Sequence, residues 1–314
     1  MTTTIRHADF VETVAAALQY ISYYHPADYI AHLARAYAAE QSPAAKDAIA
    51  QILTNSRMCA EGHRPICQDT GIVNVFLKIG MGVRFEGFAG SIEDAVNEGV
   101  RRAYLDPDNK LRASVVEDPL FTRRNTKDNT PAVVAMQVVP GDTLDITVAA
   151  KGGGSEMKSN FAMLKASDSL VDWVLATVPT MGAGWCPPGM LGIGVGGTAE
   201  KAVALAKEAL MDDIDMFELL QRGPKDKLEE LRIELYEKVN ALGIGAQQRM
   251  MGMLPMDIDQ PVADFAQLGE RRRHAVHPCP RTSARLDHAT QQQDIVVERN
   301  RLLGTPGRKR LRGW

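Results

Sequence analysis

The chain has 314 residues, of which 45% are apolar and 24% are charged, a balance typical of globular proteins with one large or two ordinary domains. It shows no apolar stretch long enough to cross a bilayer and no signal-peptide core at its start, so we expect a cytoplasmic protein without a membrane partner. Four cysteines in a cytoplasmic chain argue against a disulfide framework.

The net charge of −3 is unevenly distributed along the chain. Residues 1–247 contain 24 basic and 32 acidic residues, whereas residues 248–314 contain 12 basic and 7 acidic residues. A basic arm is a feature of some nucleic-acid-binding proteins. The basic residues here are scattered, however, and the aromatic residues of the tail are Phe265 and Trp314 alone. We therefore expect no nucleic-acid partner.

Helical patterns dominate both ends of residues 1–247. Apolar residues recur every three or four positions along residues 8–56, which predicts a helical N-terminal segment. Ser91 and Asp94 have the spacing of a capping box for a helix that continues through Tyr104. Apolar periodicity and helix-ending residues predict further helices over Leu170–Val178, Lys201–Leu210 and Leu228–Leu242.

Strand patterns lie between these helices. Apolar runs bounded by glycine or proline predict strands over Ile72–Ile79, Pro131–Val139, Thr143–Ala150 and Leu191–Val195. The turn residues 140–142 indicate that the second and third of these strands form a hairpin. Residues 1–247 are thus predicted to form an α+β domain, in which a helical N-terminal segment precedes a mixed β-sheet packed with helices.

The tail, residues 248–314, has a different character. It shows no clear hydrophobic period and contains polar runs at residues 270–274 and 291–293. Because apolar clusters are few, we expect an aberrant, poorly ordered extension and not a second folded domain.

Two cysteines lie in loops rich in proline and glycine, Cys67 within Arg64–Gly71 and Cys186 within Gly184–Gly189. Such loops suit metal ligation, because proline fixes the backbone and glycine allows a close approach to a ligand. Zinc and an iron–sulfur cluster are the alternatives, and the wide spacing of these isolated cysteines favours a cluster held between loops. Cys59, at the end of a helical pattern, is expected to be a small buried hydrophobic residue.

Polar residues near these loops indicate a site for a small anion. Asp69 is a candidate acid or base, with turn formation as the alternative. The three glycines at 152–154 offer N–H groups for an anion nest with Lys158 close behind, and a flexible turn is the alternative. Arg112 has the chemistry of a carboxylate clamp, although most single arginines are simply solvated.

Residues 5–247 resemble the N-terminal region of the class I fumarate hydratases, the iron–sulfur type. The motifs that carry the resemblance are Arg64–Gly71, Leu111–Ser114, Arg124–Ala132, Lys151–Glu156, Gly182–Gly189 and Ala241–Gln247. The resemblance implies reversible addition of water to fumarate, giving (S)-malate, in the citric acid cycle. It also implies a [4Fe-4S] cluster bound by three cysteines, a small dicarboxylate substrate and a homodimer.

Tartrate dehydratase shares this architecture, so an alpha subunit of the tartrate dehydratase type, completed by a separate C-terminal-domain subunit, is the alternative. The run Trp185–Met190 is more similar to fumarate hydratase. The resemblance implies that Cys67 and Cys186 are cluster ligands and that Asp69 is catalytic. It further implies that the substrate is bound by an amide, two cations and a glycine: Gln68, Arg112, Gly154 and Lys158.

This assignment makes chemical sense, because three ligands leave one iron free to act as a Lewis acid while a base takes a proton from the neighbouring carbon. We expect the sulfurs of Cys67 and Cys186 to lie within roughly 6–7 Å of each other. We also expect Asp69, Arg112, Gly154 and Lys158 to surround the same cavity.

After Gln247 the chain departs from the family pattern, which continues with a third cluster cysteine and a C-terminal domain. Cys279 stands in a different context and is not expected to replace that ligand. The departure predicts a frameshifted or truncated product, so an inactive fragment of a fumarate hydratase is a further alternative.

Overall fold

The computed structural model describes residues 3–109, 111–182, 189–244, 256–258 and 294–302. These residues form the predicted α+β fold, in which helices at the N-terminus precede a mixed sheet. No helix within these ranges is both long and apolar enough to cross a membrane.

The N-terminal segment contains a short strand and a series of helices, which confirms the helical character predicted for residues 8–56. In chain order these are β1 (Thr3–Arg6), α1 (His7–Tyr23), α2 (Ala27–Ala39) and α3 (Pro43–Gly62). The sequence pattern did not predict β1, which pairs with a strand further along the chain. α3 begins where the Ser42 side chain accepts a hydrogen bond from the Ala45 N–H.

The middle of the chain supplies most of the strands. In chain order it contains β2 (Ile72–Gly80), β3 (Val83–Glu86), α4 (Ile92–Leu105), β4 (Val116–Glu117), β5 (Arg124–Asn125), β6 (Val133–Val139) and β7 (Leu144–Lys151). The predicted capping box of α4 is confirmed, because the Ser91 and Asp94 side chains each accept a hydrogen bond from the other residue's backbone N–H.

The C-terminal part is mainly helical. It contains α5 (Gly153–Glu156), α6 (Leu170–Thr177), β8 (Ile193–Val195), α7 (Ala199–Ala209), α8 (Met216–Arg222), α9 (Lys227–Asn240), β9 (Met256–Ile258) and β10 (Asp294–Leu302). The predicted helices near 170, 201 and 228 are confirmed, whereas α8 was not predicted. Apart from β9 and β10, the predicted tail lies outside the described residues, and so does Cys279.

The largest sheet has the strand order β10-β7-β2-β6. β2 is parallel to β6 and antiparallel to β7, which makes the sheet mixed. β10 runs antiparallel to β7 at the opposite edge. Elsewhere, β9 pairs in parallel with β8.

The predicted hairpin of β6 and β7 is wrong, because β2 lies between these two strands. Their connection passes over the end of β2, where the Gly80 N–H donates to the Thr143 carbonyl and the Gly82 N–H to the Gly141 carbonyl, both at 2.8 Å. Gly80 is required for this crossing, since a Cβ there would lie 2.7 Å from the Gly141 oxygen. The turn residues at 140–142 are compatible with a hairpin and with this crossing. β2, which is more deeply buried than β6, takes the place between β6 and β7.

The sheet is covered on both faces. α1 and α4 pack against one face, where Val75 and Ile146 are completely buried. α2 and α3 pack against the other face, which includes Phe76 and Ala149. The alternation of side chains along β2 and β7 explains why neighbouring residues enter different cores. A third core joins α6, β8 and α9.

α7 packs unusually close to β8 because glycines lie immediately before β8 and within it, where the two backbones meet. A Cβ added at Gly192 would lie 2.1 Å from the Ala206 carbonyl oxygen, and one at Gly194 would lie 2.1 Å from the Ala202 oxygen. Both distances are far below van der Waals contact. The glycines therefore set the distance between the helix and the strand.

We predict that Gly194→Ala destabilises the protein by about 1–3 kcal/mol, because α7 must move to admit the methyl group. The free energy of unfolding, measured by urea denaturation, tests this. Gly62→Ala is the matched control, since its Cβ would meet only the Arg64 side chain at 3.7 Å and should change stability little. Equal stabilities of the two variants would contradict the role given to Gly194.

Candidate active site

The loop that carries Cys67 connects α3 to β2 and is anchored by its backbone. The Ile66 N–H donates to the Ser22 carbonyl at 2.8 Å, and the Asn55 side-chain amide donates to the Ile66 carbonyl at 2.9 Å. Cys59 is buried beside this loop, as predicted, with its sulfur 3.5 Å from the Pro65 oxygen. The loop is thus fixed to α1 and α3 immediately before Cys67.

The Cys67 side chain is only 8% exposed and contacts the core between the sheet and α1. Burial and, to a smaller extent, the charge of Asp69 raise the pKa of its thiol, while the backbone N–H groups of Asp69 and Gln68 and the charge of Arg112 offset part of that rise. Its sulfur lies 3.5 Å from the Gln68 side-chain oxygen. Backbone N–H donors and a nearby cation are the surroundings that favour a metal-bound thiolate.

Asp69 connects the Cys67 loop to the three-glycine turn. One carboxylate oxygen accepts from the Gly71 N–H at 3.1 Å and the other from the Gly153 N–H at 2.8 Å. Gly71 has a φ of +74°, and a Cβ there would lie 2.5 Å from the Lys151 carbonyl carbon. Asp69 therefore has the predicted turn-forming role, and its second carboxylate oxygen also binds the three-glycine turn, which is distant in sequence.

A buried amide joins the Cys67 loop to the segment that carries Arg112. Asn129 is completely buried. Its amide nitrogen donates to the Gly71 carbonyl at 2.9 Å, while its oxygen accepts from the Ser114 N–H at 2.7 Å and the Val115 N–H at 3.1 Å. Because one side chain satisfies three backbone groups, the two segments keep a fixed separation.

Thr70 and Tyr104 make further contacts between these segments. The Thr70 hydroxyl donates to the Arg112 carbonyl, and the Tyr104 hydroxyl donates to the Thr70 carbonyl at 3.1 Å. Burial raises the pKa of Tyr104 to about 12, so its hydroxyl stays a donor at neutral pH. The Arg112 backbone is thereby held at Thr70, three positions after Cys67 in the sequence, while Arg112 itself is exposed.

A second charged cluster holds the three-glycine turn from the other side. Glu156 at the end of α5 lies 2.7 Å from the Lys207 nitrogen and 3.6 Å from the Lys151 nitrogen. Burial acts to raise the pKa of Glu156, but the two lysines outweigh it and lower the pKa overall. Lys151 also donates to the Ser155 hydroxyl at 3.2 Å. α5 is therefore tied to α7 as well as to Asp69.

A cavity of about 540 Å³ lies between residues 155–164, α6, β8 and α7. Its lining is mostly apolar and includes Trp173 and Met190, with Lys158 and Lys207 among its polar residues. Among the described residues, neither the Cys67 loop nor Arg112 contributes to this lining. The predicted positions of Lys158 and Arg112 around one cavity thus stay a prediction.

The structure brings most of the predicted site residues onto three connected segments. Gln68 and Asp69 lie beside Cys67. The Arg112 carbonyl is hydrogen-bonded to Thr70, and Gly154 follows Gly153, whose N–H donates to Asp69. Cys186 lies outside the described residues, so its distance from the Cys67 sulfur also stays a prediction. Within the described residues, no group of three or more His, Cys, Asp or Glu side chains could hold a metal ion.

Sequence reasoning missed the roles of Asn129 and Glu156. Both residues lie in motifs that carry the family resemblance, yet neither lies in a hydrophobic pattern that would indicate burial. The role of a fully buried asparagine can be recognised only from the backbone groups that it hydrogen-bonds. Lys207 was missed as well, because its ammonium group pairs with Glu156, which lies 51 positions away in the sequence.

Comparison with known proteins identifies the family of the chain. The family model described as fumarate hydratase (Fumerase) matches residues 11–256. A putative L(+)-tartrate dehydratase subunit alpha from Methanocaldococcus jannaschii is 38% identical over 231 residues, which cover 71% of this chain and 78% of the relative. The L(+)-tartrate dehydratase subunit alpha of Escherichia coli O157:H7 is 30% identical over 239 residues, covering 75% and 76% respectively. The chain therefore belongs to the fumarate hydratase (Fumerase) family, a family of lyases that add or remove water.

Proposed function

We propose that this chain is the alpha-type subunit of a hydro-lyase that acts on a small hydroxydicarboxylate, with L(+)-tartrate as its substrate. The observation that carries the proposal is the fixed connection of Cys67, Asp69 and Arg112 through Thr70 and Asn129. The names of the relatives favour the tartrate alternative over the fumarate hydratase function that the sequence first suggested. The cytoplasmic location stays a prediction.

The cations and the amide bind the substrate in this proposal. The exposed Arg112 guanidinium pairs with one substrate carboxylate through two parallel hydrogen bonds. The Gln68 amide, adjacent to the Cys67 sulfur, donates to a substrate oxygen. Gly154 and Lys158 bind the second carboxylate through a backbone N–H and an ammonium group. These roles follow the residue types and the family resemblance.

Asp69 acts as the proton carrier in the proposed reaction. Dehydration breaks a C–H bond on one carbon and the C–O bond on its neighbour, and the electrons of the C–H bond form the new double bond. The proton goes to a base, and hydroxide leaves. Each Asp69 oxygen accepts one backbone hydrogen bond, so lone pairs remain to take the proton, and the two N–H groups fix the carboxylate beside the substrate.

Cys67 and Cys186 are the residues that would hold a [4Fe-4S] cluster. Burial raises the pKa of the Cys67 thiol, but two backbone N–H groups and the Arg112 charge act against that rise and support a thiolate ligand. When bound, the cluster supplies a Lewis acid that weakens the bond to the leaving hydroxyl. The alpha-subunit names of the relatives suggest a separate partner subunit, which in this proposal completes the active site.

The proposal predicts that the chain alone is inactive and loses iron readily. Anaerobic reconstitution with iron and sulfide should be followed by assays with L(+)-tartrate, (S)-malate and fumarate, with and without a separately expressed C-terminal-domain chain. Turnover of tartrate only in the mixture supports the proposal. A stable cluster and fumarate hydratase turnover by the chain alone would instead favour a self-sufficient fumarate hydratase.

The assignment of Cys67 predicts that Cys67→Ala lowers the iron and sulfide content of the reconstituted mixture to well below that of the unchanged chain. Cys59→Ala is the matched control, because Cys59 is also buried next to the same loop but has no assigned ligand role. Iron and sulfide analysis measures the effect independently of activity. Equal losses in the two variants would show that disturbance of the loop, and not loss of a ligand, is responsible.

The assignment of Arg112 predicts that Arg112→Ala raises KM for the dicarboxylate by about 10- to 100-fold, the usual effect of losing a charged hydrogen bond. Steady-state kinetics on the reconstituted mixture measures this. Arg101→Ala, which changes an exposed arginine of α4, should leave KM unchanged. A fall in kcat with no change in KM would assign Arg112 to another role.

A further inference from the structure

The cavity between residues 155–164, α6, β8 and α7 is largely separate from the residues of the proposed reaction. Its volume is about 540 Å³, within the range of roughly 300 to 1,000 Å³ that is common for ligand pockets. Among the described residues, neither the Cys67 loop, which contains Asp69, nor Arg112 lines it. The cavity can therefore hold a ligand other than a small hydroxydicarboxylate.

The charged residues that line this cavity all have the same sign. Within the described part of the chain they are Lys151, Lys158 and Lys207, and no aspartate or glutamate belongs to the lining. Glu156 lies just outside it, 3.6 Å from the Lys151 nitrogen and 2.7 Å from the Lys207 nitrogen. Even with this carboxylate counted, the lysines outnumber it three to one. The excess positive charge favours an anion as the occupant.

The cations and hydroxyl groups are gathered around α5. The Lys151 ammonium group donates to the Ser155 hydroxyl at 3.2 Å, and the Lys158 backbone N–H donates to the Ser155 carbonyl at 3.0 Å. Lys207 reaches the same place through Glu156. An acidic head group at this position would meet ammonium and hydroxyl donors together, which makes charge-assisted hydrogen bonds possible.

The remainder of the lining is mostly apolar. α6 contributes Trp173 and Val174, and the segment that leads into β8 contributes Leu191. Val174 is 4% exposed and Leu191 is 9% exposed, so these walls belong to a packed core. The second carboxylate of a dicarboxylate would lose its hydration against such walls without gaining a partner. An alkyl or aryl group would instead be removed from water favourably.

From the charge and the walls together we infer that the cavity binds an anionic amphiphile, a molecule with one acidic head group and an apolar body. The head group lies against Lys158 and Ser155, and the apolar body lies against Trp173 and Val174. Lys158 also belongs to the proposed substrate site. Binding of the amphiphile needs neither a cluster nor turnover, however, so its test succeeds or fails independently of the proposed hydro-lyase function.

Isothermal titration calorimetry of the full chain, without added iron, tests the inference with octanoate as the probe. We expect one octanoate to bind per chain. 1-Octanol, which has the same apolar body without the charge, and L(+)-tartrate, which has charge without an apolar body, should each bind at least about 10-fold more weakly. Absence of octanoate binding, or equal affinity for octanoate and 1-octanol, would overturn the inference.

A substitution at the polar end tests the position of the head group. Lys158→Met keeps the length of the side chain and removes its charge, so it should weaken octanoate binding by about 10-fold or more. Lys165→Met is the matched control, because Lys165 is exposed and lies outside the lining, and it should leave the affinity unchanged. Equal affinities of these two variants would contradict the site.

A substitution at the rim tests the sign of the ligand's charge. Val203 on α7 lines the cavity and is 44% exposed, so a polar residue there leaves the core intact, as circular dichroism will verify. Val203→Glu should weaken octanoate binding more than the isosteric Val203→Gln, because the added carboxylate repels an anion. Equal weakening by the two substitutions would show that the cavity does not select for negative charge.

Discussion

The arrangement of the candidate site depends on the buried side chain of Asn129. Its three hydrogen bonds join the end of the Cys67 loop at Gly71 to the segment that follows Arg112. A buried amide that lost these partners would leave polar groups without water or protein to satisfy them, at a cost of about 1–3 kcal/mol each. The same bonds therefore stabilise the fold and hold the backbone segment that follows Arg112 beside the Cys67 loop.

Asp69 and Glu156 extend this constraint to the three-glycine turn. Asp69 holds the N-terminal side of the turn through the Gly153 N–H, and Glu156 holds its other end through Lys151 and Lys207. The turn is thus restrained from both sides by carboxylates. A flexible turn, which the glycines alone would allow, is not what the structure shows.

Local patterns predicted the elements well, because helix periodicity, the Ser91–Asp94 cap and the apolar run of β2 depend on neighbouring residues. They failed on strand order, because the turn after β6 fits a hairpin as well as a crossing over Gly80. They also failed on Asn129 and Glu156, whose partners are distant in sequence. The loops of the site were found from their cysteine, glycine and proline residues, but their connections were not.

The central position of β2 has a consequence for the order of events during synthesis. β2 leaves the ribosome before both of its neighbours, since β6 and β7 follow it by more than fifty residues. Its pairing with β7, and with it the Gly71–Lys151 approach, must wait until Lys151 has been synthesised. Until then Cys67 is a solvent-accessible thiol, and closing these long-range contacts is slow compared with forming α1 to α3. A nascent chain is therefore open to oxidation at the residue that the finished fold buries.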